Sequence, residues 1–210
     1  GQEHTVIAWI WARTVQSPNP ANPIETPLVR SWWLSKRRGK EAWVKAEVED
    51  GQVTYEVQNN ADGPRGEDEW TIKHGKGAKT VGDKTPFTYD YVREEGLAGR
   101  MGSHLIAVVA EGPSGRLYCS PDAHQEVAEE ADHDGSVAGS VATNPRWFSP
   151  PAYGLTEFSD LFTNRQLVAM TTFSDLVAEV RERVLSDALE SGLPAGQPLE
   201  DDGDGANAYA

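Results

Sequence analysis

Cysteine is almost missing from this sequence. Cys119 is the one thiol in 210 residues, so an internal disulfide and a metal site built from cysteines are both excluded. It sits at a hairpin end with no histidine at catalytic spacing, and reads as a buried, inert thiol. Histidine is also thin. His4, His74, His104, His124 and His133 stand singly and form no HxxxH or HExxH pair. His104 falls in a strong strand and reads as packed or hydrogen-bonded. No apolar run approaches the roughly 20 residues needed to span a bilayer; the longest is Leu105 to Ala110. No secretory leader is visible. These absences predict a cytoplasmic chain with no membrane partner. Nucleotide and calcium loops are lacking too. Gly75-Lys76-Gly77 with Lys79-Thr80 has no Walker spacing. Asp201, Asp202 and Asp204 lack the closing glutamate of a calcium loop.

Positive charge is scarce. Against 19 Lys and Arg stand 33 Asp and Glu, a formal net charge of -14. Nucleic-acid binders draw most of their affinity from phosphate neutralisation, so this chain alone is a poor candidate for binding DNA. The acidity fits either ordinary solubility or a salt-adapted surface. The chain begins without Met inside a strand-like pattern and ends at Ala208-Tyr209-Ala210 with no closing element. Both ends read as cut from something larger.

What is present is β-rich first and helical last, an α+β class. His4 to Val15 is β-branched and aromatic and reads as a buried strand. Ser17 to Pro27, with prolines at 18, 20, 23 and 27, reads as an irregular loop. Leu28 to Ser35 returns to strand character, with Trp32 and Trp33 on opposite faces. The basic turn Lys36-Arg37-Arg38-Gly39-Lys40 follows. Ala42 to Glu49, the turn Asp50-Gly51 and the period-two run Val53 to Val57 predict a β-hairpin. Asn59 to Glu69 reads as a loop. Trp70 to Asp83 mixes a short strand with a Gly/Lys-rich turn. Phe87 to Val92 reads as a short strand, and Arg93 to Gly102 as a turn or broken helix. Ser103 to Glu111 and Arg116 to Cys119 predict a second hairpin. Pro121 to Ala131 fits a short acidic helix capped by Ser120. Asp132 to Thr143 fits a flexible linker.

Thr163 to Gly192 carries the clearest helical period. Apolar residues fall at Leu167, Met170, Phe173, Val177, Val180, Val184 and Ala188, in steps of three and four. Thr163 with Gln166 fits a capping box, and Phe162 fits a hydrophobic staple onto Leu167. Gly192 and Pro194 mark the stop. Such a helix is roughly 40 Å long, and its stripe needs a partner surface. Leu193 to Ala210 is acidic and Gly-rich, which predicts disorder. The expected divisions are 1–120 β-rich, 121–146 acidic helix and linker, 147–192 aromatic lead-in and long helix, and 193–210 tail.

Ser149-Pro150-Pro151-Ala152-Tyr153 is near the Asp/Asn/Ser-Pro-Pro-Tyr/Phe motif of methyltransferases that act on base amino groups. Ala152 separates the second proline from the tyrosine and shifts the ring out of register. A catalytic role is not expected.

Three blocks carry a wider resemblance: Arg13 to Val44, Asp90 to Tyr118 and Trp147 to Val184. Together they resemble the large adenine-specific DNA methylases with an embedded zinc ribbon, whose genes often neighbour helicases in phage-defence clusters. The resemblance covers nearly the whole chain but only a middle section of those longer proteins. In that family the S-adenosylmethionine loop lies before this section and Asp-Pro-Pro-Tyr after it. No catalytic residue and no cofactor site is therefore expected in this chain; S-adenosylmethionine belongs to the parent enzyme. Family members often carry Cys-Pro-Asn-Pro-Ala-Cys where this chain has Ser17 to Asn22, and a Cys-x-x-Cys that corresponds most simply to Thr80 and Asp83. A tetrahedral zinc needs four good ligands, so Ser17, Asn22, Thr80 and Asp83 imply a metal-free, degenerate zinc-ribbon-like region.

The resemblance implies an inserted region of a DNA adenine N6-methyltransferase, aiding target recognition or rigidity. Its partners would be the remainder of that enzyme and, through it, DNA. Lys36, Arg37, Arg38 and Lys40 are the candidate phosphate contacts, against the alternative of a solvated turn. Arg93 and Arg100 read as structural, beside Glu94 and Glu95. The stripe Met170, Phe173, Val177, Val180 and Val184 is the candidate docking face. A free-standing, non-enzymatic interaction module that docks through this stripe is the competing reading. A domain that only stabilises its parent enzyme is a third.

Overall fold

The computed structural model describes residues 3–113, 115–122, 137–144 and 148–210. The chain divides into two compact units, residues 1–129 with 139–161, and residues 130–138 with 162–210. The first holds the antiparallel sheets and the second the long C-terminal helix, as the α+β pattern predicts.

In the first unit the strands are β1 (Val6–Gln16), β2 (Glu25–Pro27), β3 (Trp33–Ser35), β4 (Ala42–Glu49), β5 (Gln52–Gln58), β6 (Ile72–Lys73), β7 (Gly77–Lys79), β8 (Pro86–Phe87), β9 (Gly102–Gly112) and β10 (Gly115–Cys119). Their order is β10-β9-β1-β2 in a four-stranded sheet, with three-stranded sheets β3-β4-β5 and β6-β7-β8. The β4–β5 hairpin turns at Asp50 and Gly51, whose φ angles of +50° and +80° are both positive. A two-residue turn of this kind matches the twist of its flanking strands. The alternation of Val53, Tyr55 and Val57 then points that face inward, with Val53 buried and the others packed on the core.

The long pairing is β1 with β9, from Val6 opposite Ala110 to Thr14 opposite Gly102, with register shifts between Val6 and Ala8 and between Ile10 and Trp11. Ala12, Ile106 and Ala107 of these strands join Val44 and Val53 of the hairpin, with Trp32 and Ile24, in one buried cluster. A second cluster gathers Val15, Ile72, Ala78, Phe87 and Val92.

Two local expectations change. The proline-rich segment holds a short edge strand, β2, because Pro27 sits at a position that donates nothing to the ladder, while the Leu28 N–H beyond it reaches the Arg13 carbonyl at 2.7 Å; Thr14 pairs with Pro27 and Gln16 with Glu25. The aromatic run after Phe87 is helical, forming α1 (Tyr89–Leu97). Thr88 caps it by accepting from the Tyr91 N–H at 3.1 Å, and a satisfied cap outweighs the strand preference of Tyr89, Tyr91 and Val92.

The expected acidic helix over 121–131 and most of the expected linker lie outside the described residues, as does Trp147. The part of the linker that is described is pinned: Ser140 bridges Glu157, and buried Val141 donates to the Thr156 carbonyl at 2.8 Å.

In the second unit α2 (Asn164–Glu190) begins with the capping box of Thr163 and Gln166. It ends in a Schellman arrangement. Gly192 has φ +89°, Leu193 N–H reaches the Ala188 carbonyl at 3.1 Å and Gly192 N–H the Leu189 carbonyl at 3.0 Å. Residues 193–210, where composition predicts disorder, fold back in this structure through a short helix α3 (Ala206–Tyr209). Ala206 N–H donates to the Pro194 carbonyl at 2.8 Å, and the Asn207 amide donates to the Ala195 carbonyl at 2.9 Å. Glycines at positive φ, Gly196 and Gly205, let the chain double back.

Gly96 gives a test of the first unit. It lies within α1 where the 3-10 turn Pro150–Tyr153 packs, and a Cβ there would land on the Tyr153 carbonyl oxygen. In an open helix Gly→Ala stabilises by about 1 kcal/mol. Gly96→Ala is instead expected to destabilise, by roughly 1–3 kcal/mol from overpacking, read as a lower urea midpoint at unchanged slope.

Candidate functional site

Ser17, Asn22, Thr80 and Asp83 lie in two loops. The first, 17–22, is a compact turn. Buried Ser17 accepts from the Asn19 N–H at 3.1 Å, and its own N–H reaches the Ile24 carbonyl at 2.8 Å. The second is the turn between β7 and β8, with Gly82 at φ +83°. Asp83 ties the two together. It accepts from the Asn22 amide at 2.9 Å, across 61 residues of sequence. It also accepts from the Thr80 hydroxyl, from the Thr85 N–H at 3.1 Å and from the Thr85 hydroxyl at 2.9 Å.

The structure therefore brings Asn22, Thr80 and Asp83 into one hydrogen-bonded clasp. The Thr80 and Asn22 bonds, in that order, hold the Asp83 carboxyl well below the usual carboxylate range. Among the described residues no group of three or more His, Cys, Asp or Glu is arranged to hold a metal. Asn and Thr are neutral, so the clasp presents one carboxylate to a cation and otherwise satisfies itself.

The basic turn divides. Lys36 forms an ion pair with Glu69 and lies 5.6 Å from the Trp33 ring centroid. Arg37 and Arg38 are exposed, and neither makes an ion pair among the described residues. Lys40 is exposed but engaged. Nearby, the 3-10 turn Gly66–Glu69 collects further lysines: Lys76 pairs with Glu67 at 2.7 Å, and Lys84 with Asp68. The hydrogen bonds from Lys76, Lys84 and Lys36 hold the Glu67, Asp68 and Glu69 carboxyls below their ordinary range. Arg100 makes two hydrogen bonds to the carboxylate of buried Glu95, at 2.7 and 3.0 Å. That matches the structural reading of this arginine.

Tyr153 of the Ser-Pro-Pro-Ala-Tyr run packs inward. Its hydroxyl accepts from Arg30 at 3.3 Å, and its ring meets Tyr89 at a centroid distance of 6.0 Å.

The α2 stripe is open. Phe173 is 71% exposed, Val177 70%, Val180 57% and Met170 40%. Val184 is half-buried, and only Leu167 and Ala188 near the ends are buried.

One constellation escapes sequence reading. His104 on β9 stands between Tyr55 of β5 and Glu25 of β2. Its Nδ1 is 2.7 Å from the Tyr55 hydroxyl, and its Nε2 is 3.4 Å from a Glu25 oxygen. The other Glu25 oxygen accepts from the buried Thr14 hydroxyl. A cavity of about 420 Å³ opens onto all three residues of the relay. The one signal in the sequence is that Tyr55 and His104 are polar residues on otherwise apolar strand faces. Glu25 falls in the proline-rich run whose composition reads as loop.

The Asp83 clasp generates a pH prediction. A depressed folded-state pKa stabilises fully above the unfolded value of about 3.9 and is lost as pH falls through the folded value. Asp83→Ala is expected to cost about 1 kcal/mol near neutral pH, allowing for solvent screening. Chemical denaturation should show that difference shrinking below pH ~4; a cost that is independent of pH contradicts the clasp.

No family model, no curated protein and no solved structure matches this chain.

Proposed function

We propose that this chain is the inserted middle region of a DNA adenine N6-methyltransferase that uses S-adenosylmethionine, and that it contributes to target recognition or rigidity rather than to methyl transfer. The observation that carries this reading is the Asn22–Asp83 bond. It joins two loops at the positions where the resembled methylases carry cysteine pairs, so hydrogen bonds do here what zinc does there. The parent enzyme would supply the cofactor loop, the Asp-Pro-Pro-Tyr motif and the bulk of the DNA contact, and would work in the cytoplasm. Arg37 and Arg38 are the members of the basic turn best placed to add a phosphate contact, since Lys36 is paired with Glu69.

A second reading has its own support. The exposed α2 stripe is what a free-standing docking module would present, with no catalysis at all. The coding sequence on either side separates the two: an upstream cofactor loop and a downstream Asp-Pro-Pro-Tyr support the first, and stop codons at both ends support the second.

Ancestry can be tested by restoring the ligands. A chain carrying Ser17→Cys, Asn22→Cys, Thr80→Cys and Asp83→Cys is expected to bind one equivalent of cobalt(II) with tetrahedral absorption bands, where the parent sequence shows none. A folded variant without that signature removes the zinc-ribbon reading. A radiolabelled methyl-transfer assay on the unaltered chain should give no product, and clear activity would overturn the non-catalytic assignment.

A further inference from the structure

The geometry points to Tyr55 as an activated phenol in a binding site for a small, uncharged polar ligand, with His104 as its proton acceptor and Glu25 as the residue that orients His104. This inference is independent of the methylase reading.

The tautomer follows from the carboxylate. Glu25 faces His104 Nε2 at 3.4 Å, and an acceptor on that side places the proton on Nε2. Nδ1 then carries the lone pair, so the Tyr55 hydroxyl donates across the 2.7 Å separation. This is the order of nucleophile, base and orienting acid used wherever a weak hydroxyl is activated. The Tyr55 and His104 rings meet edge-on, centroids 5.8 Å apart, which fixes the imidazole plane.

Glu25 is itself held in place. Thr14, fully buried, donates to its far oxygen. Gly102 leaves the space they occupy, because a Cβ there would collide with both the Glu25 carboxylate and the Thr14 hydroxyl.

The ligand class follows from the lining. The cavity, about 420 Å³, lies within the size range of small-molecule sites. Gln16 and Gln52 flank the relay, and no Lys or Arg lines the cavity among the described residues. With Glu25 the charged group present and a net charge of -14 on the chain, phosphates and carboxylates are disfavoured. Amide, hydroxyl and heterocyclic groups are not.

The probe is a small neutral aryl sulfonyl fluoride, applied to the whole chain. The phenol oxygen bonds to sulfur as the sulfur–fluorine bond breaks. Fluoride leaves, and the phenol proton passes to His104 Nδ1 and on to water. The chain has six tyrosines. Peptide mapping is expected to find Tyr55 labelled roughly tenfold or more faster than Tyr209, which is 75% exposed. His104→Ala should abolish the advantage and added imidazole should restore it, while Glu25→Gln should give an intermediate rate at an unchanged thermal midpoint. A tyrosine buried only to bridge strands reacts more slowly than an exposed one. Tyr55 labelled no faster than Tyr209 in the unaltered chain therefore overturns the proposal, whether or not the variants fold.

Discussion

The pairing of β1 with β9 is the constraint on which the first unit depends. It joins residues about a hundred positions apart, Val6 with Ala110 and Thr14 with Gly102, so its closure entropy falls early and must be recovered by burial. The recovery comes from both core clusters: Ala12, Ile106 and Ala107 face one, and Val15 belongs to the other. A slip of one residue would turn these faces outward. The same register sets Ala12 against His104 and Thr14 against Gly102, which is how Glu25, held by Thr14, comes to face the imidazole. The relay is thus a by-product of the longest-range pairing in the unit, and it cannot form without it.

Charge is arranged locally even though the chain is acidic overall. The turn Gly66–Glu69 draws in Lys36, Lys76 and Lys84, and Arg100 is committed to Glu95. These pairs are mostly exposed, and exposed pairs contribute little stability. Their consequence is for binding: a cation already matched to a carboxylate releases fewer counterions when it meets a phosphate. Cations matched in this way have little left to offer a phosphate backbone.

The sequence made local features legible and left distant ones hidden. Asp50-Gly51 between alternating strands, and Thr163 with Gln166 ahead of a 3.6-residue period, are read within a few residues, and both appear as read. The first turn of helix α1 is hidden because aromatic and β-branched residues argue for strand while the decisive signal, the Thr88 cap, is a single side chain; its later part falls in the run read as a turn or broken helix. Strand β2 was hidden by prolines that only an edge position tolerates. The Asn22–Asp83 bond is hidden as well, since neither residue signals the other across 61 positions. The Tyr55–His104–Glu25 relay draws on three strands and two sheets, and no spacing rule connects them.

Helix α2 poses the remaining physical question. Its ends are secured: the capping box satisfies donors at one end, and the Gly192 turn satisfies carbonyls at the other. Its middle is not, because from Thr172 to Arg183 every residue is exposed. A helix in water draws little stability from propensity alone, and most helices rely on packing one apolar face. Here the apolar face exists but is unburied. Met170, Phe173, Val177 and Val180 repeat at the three-and-four spacing that seams two helices together, and the exposed part of the series ends where it reaches half-buried Val184 and buried Ala188. The seam is therefore finite, about two heptads, and a partner need match only that length. Exposed residues of this size on a regular stripe are costly to leave in water. That cost is what the docking reading proposed above would relieve, and it falls on Phe173 and Val177 most of all, at 71% and 70% exposed.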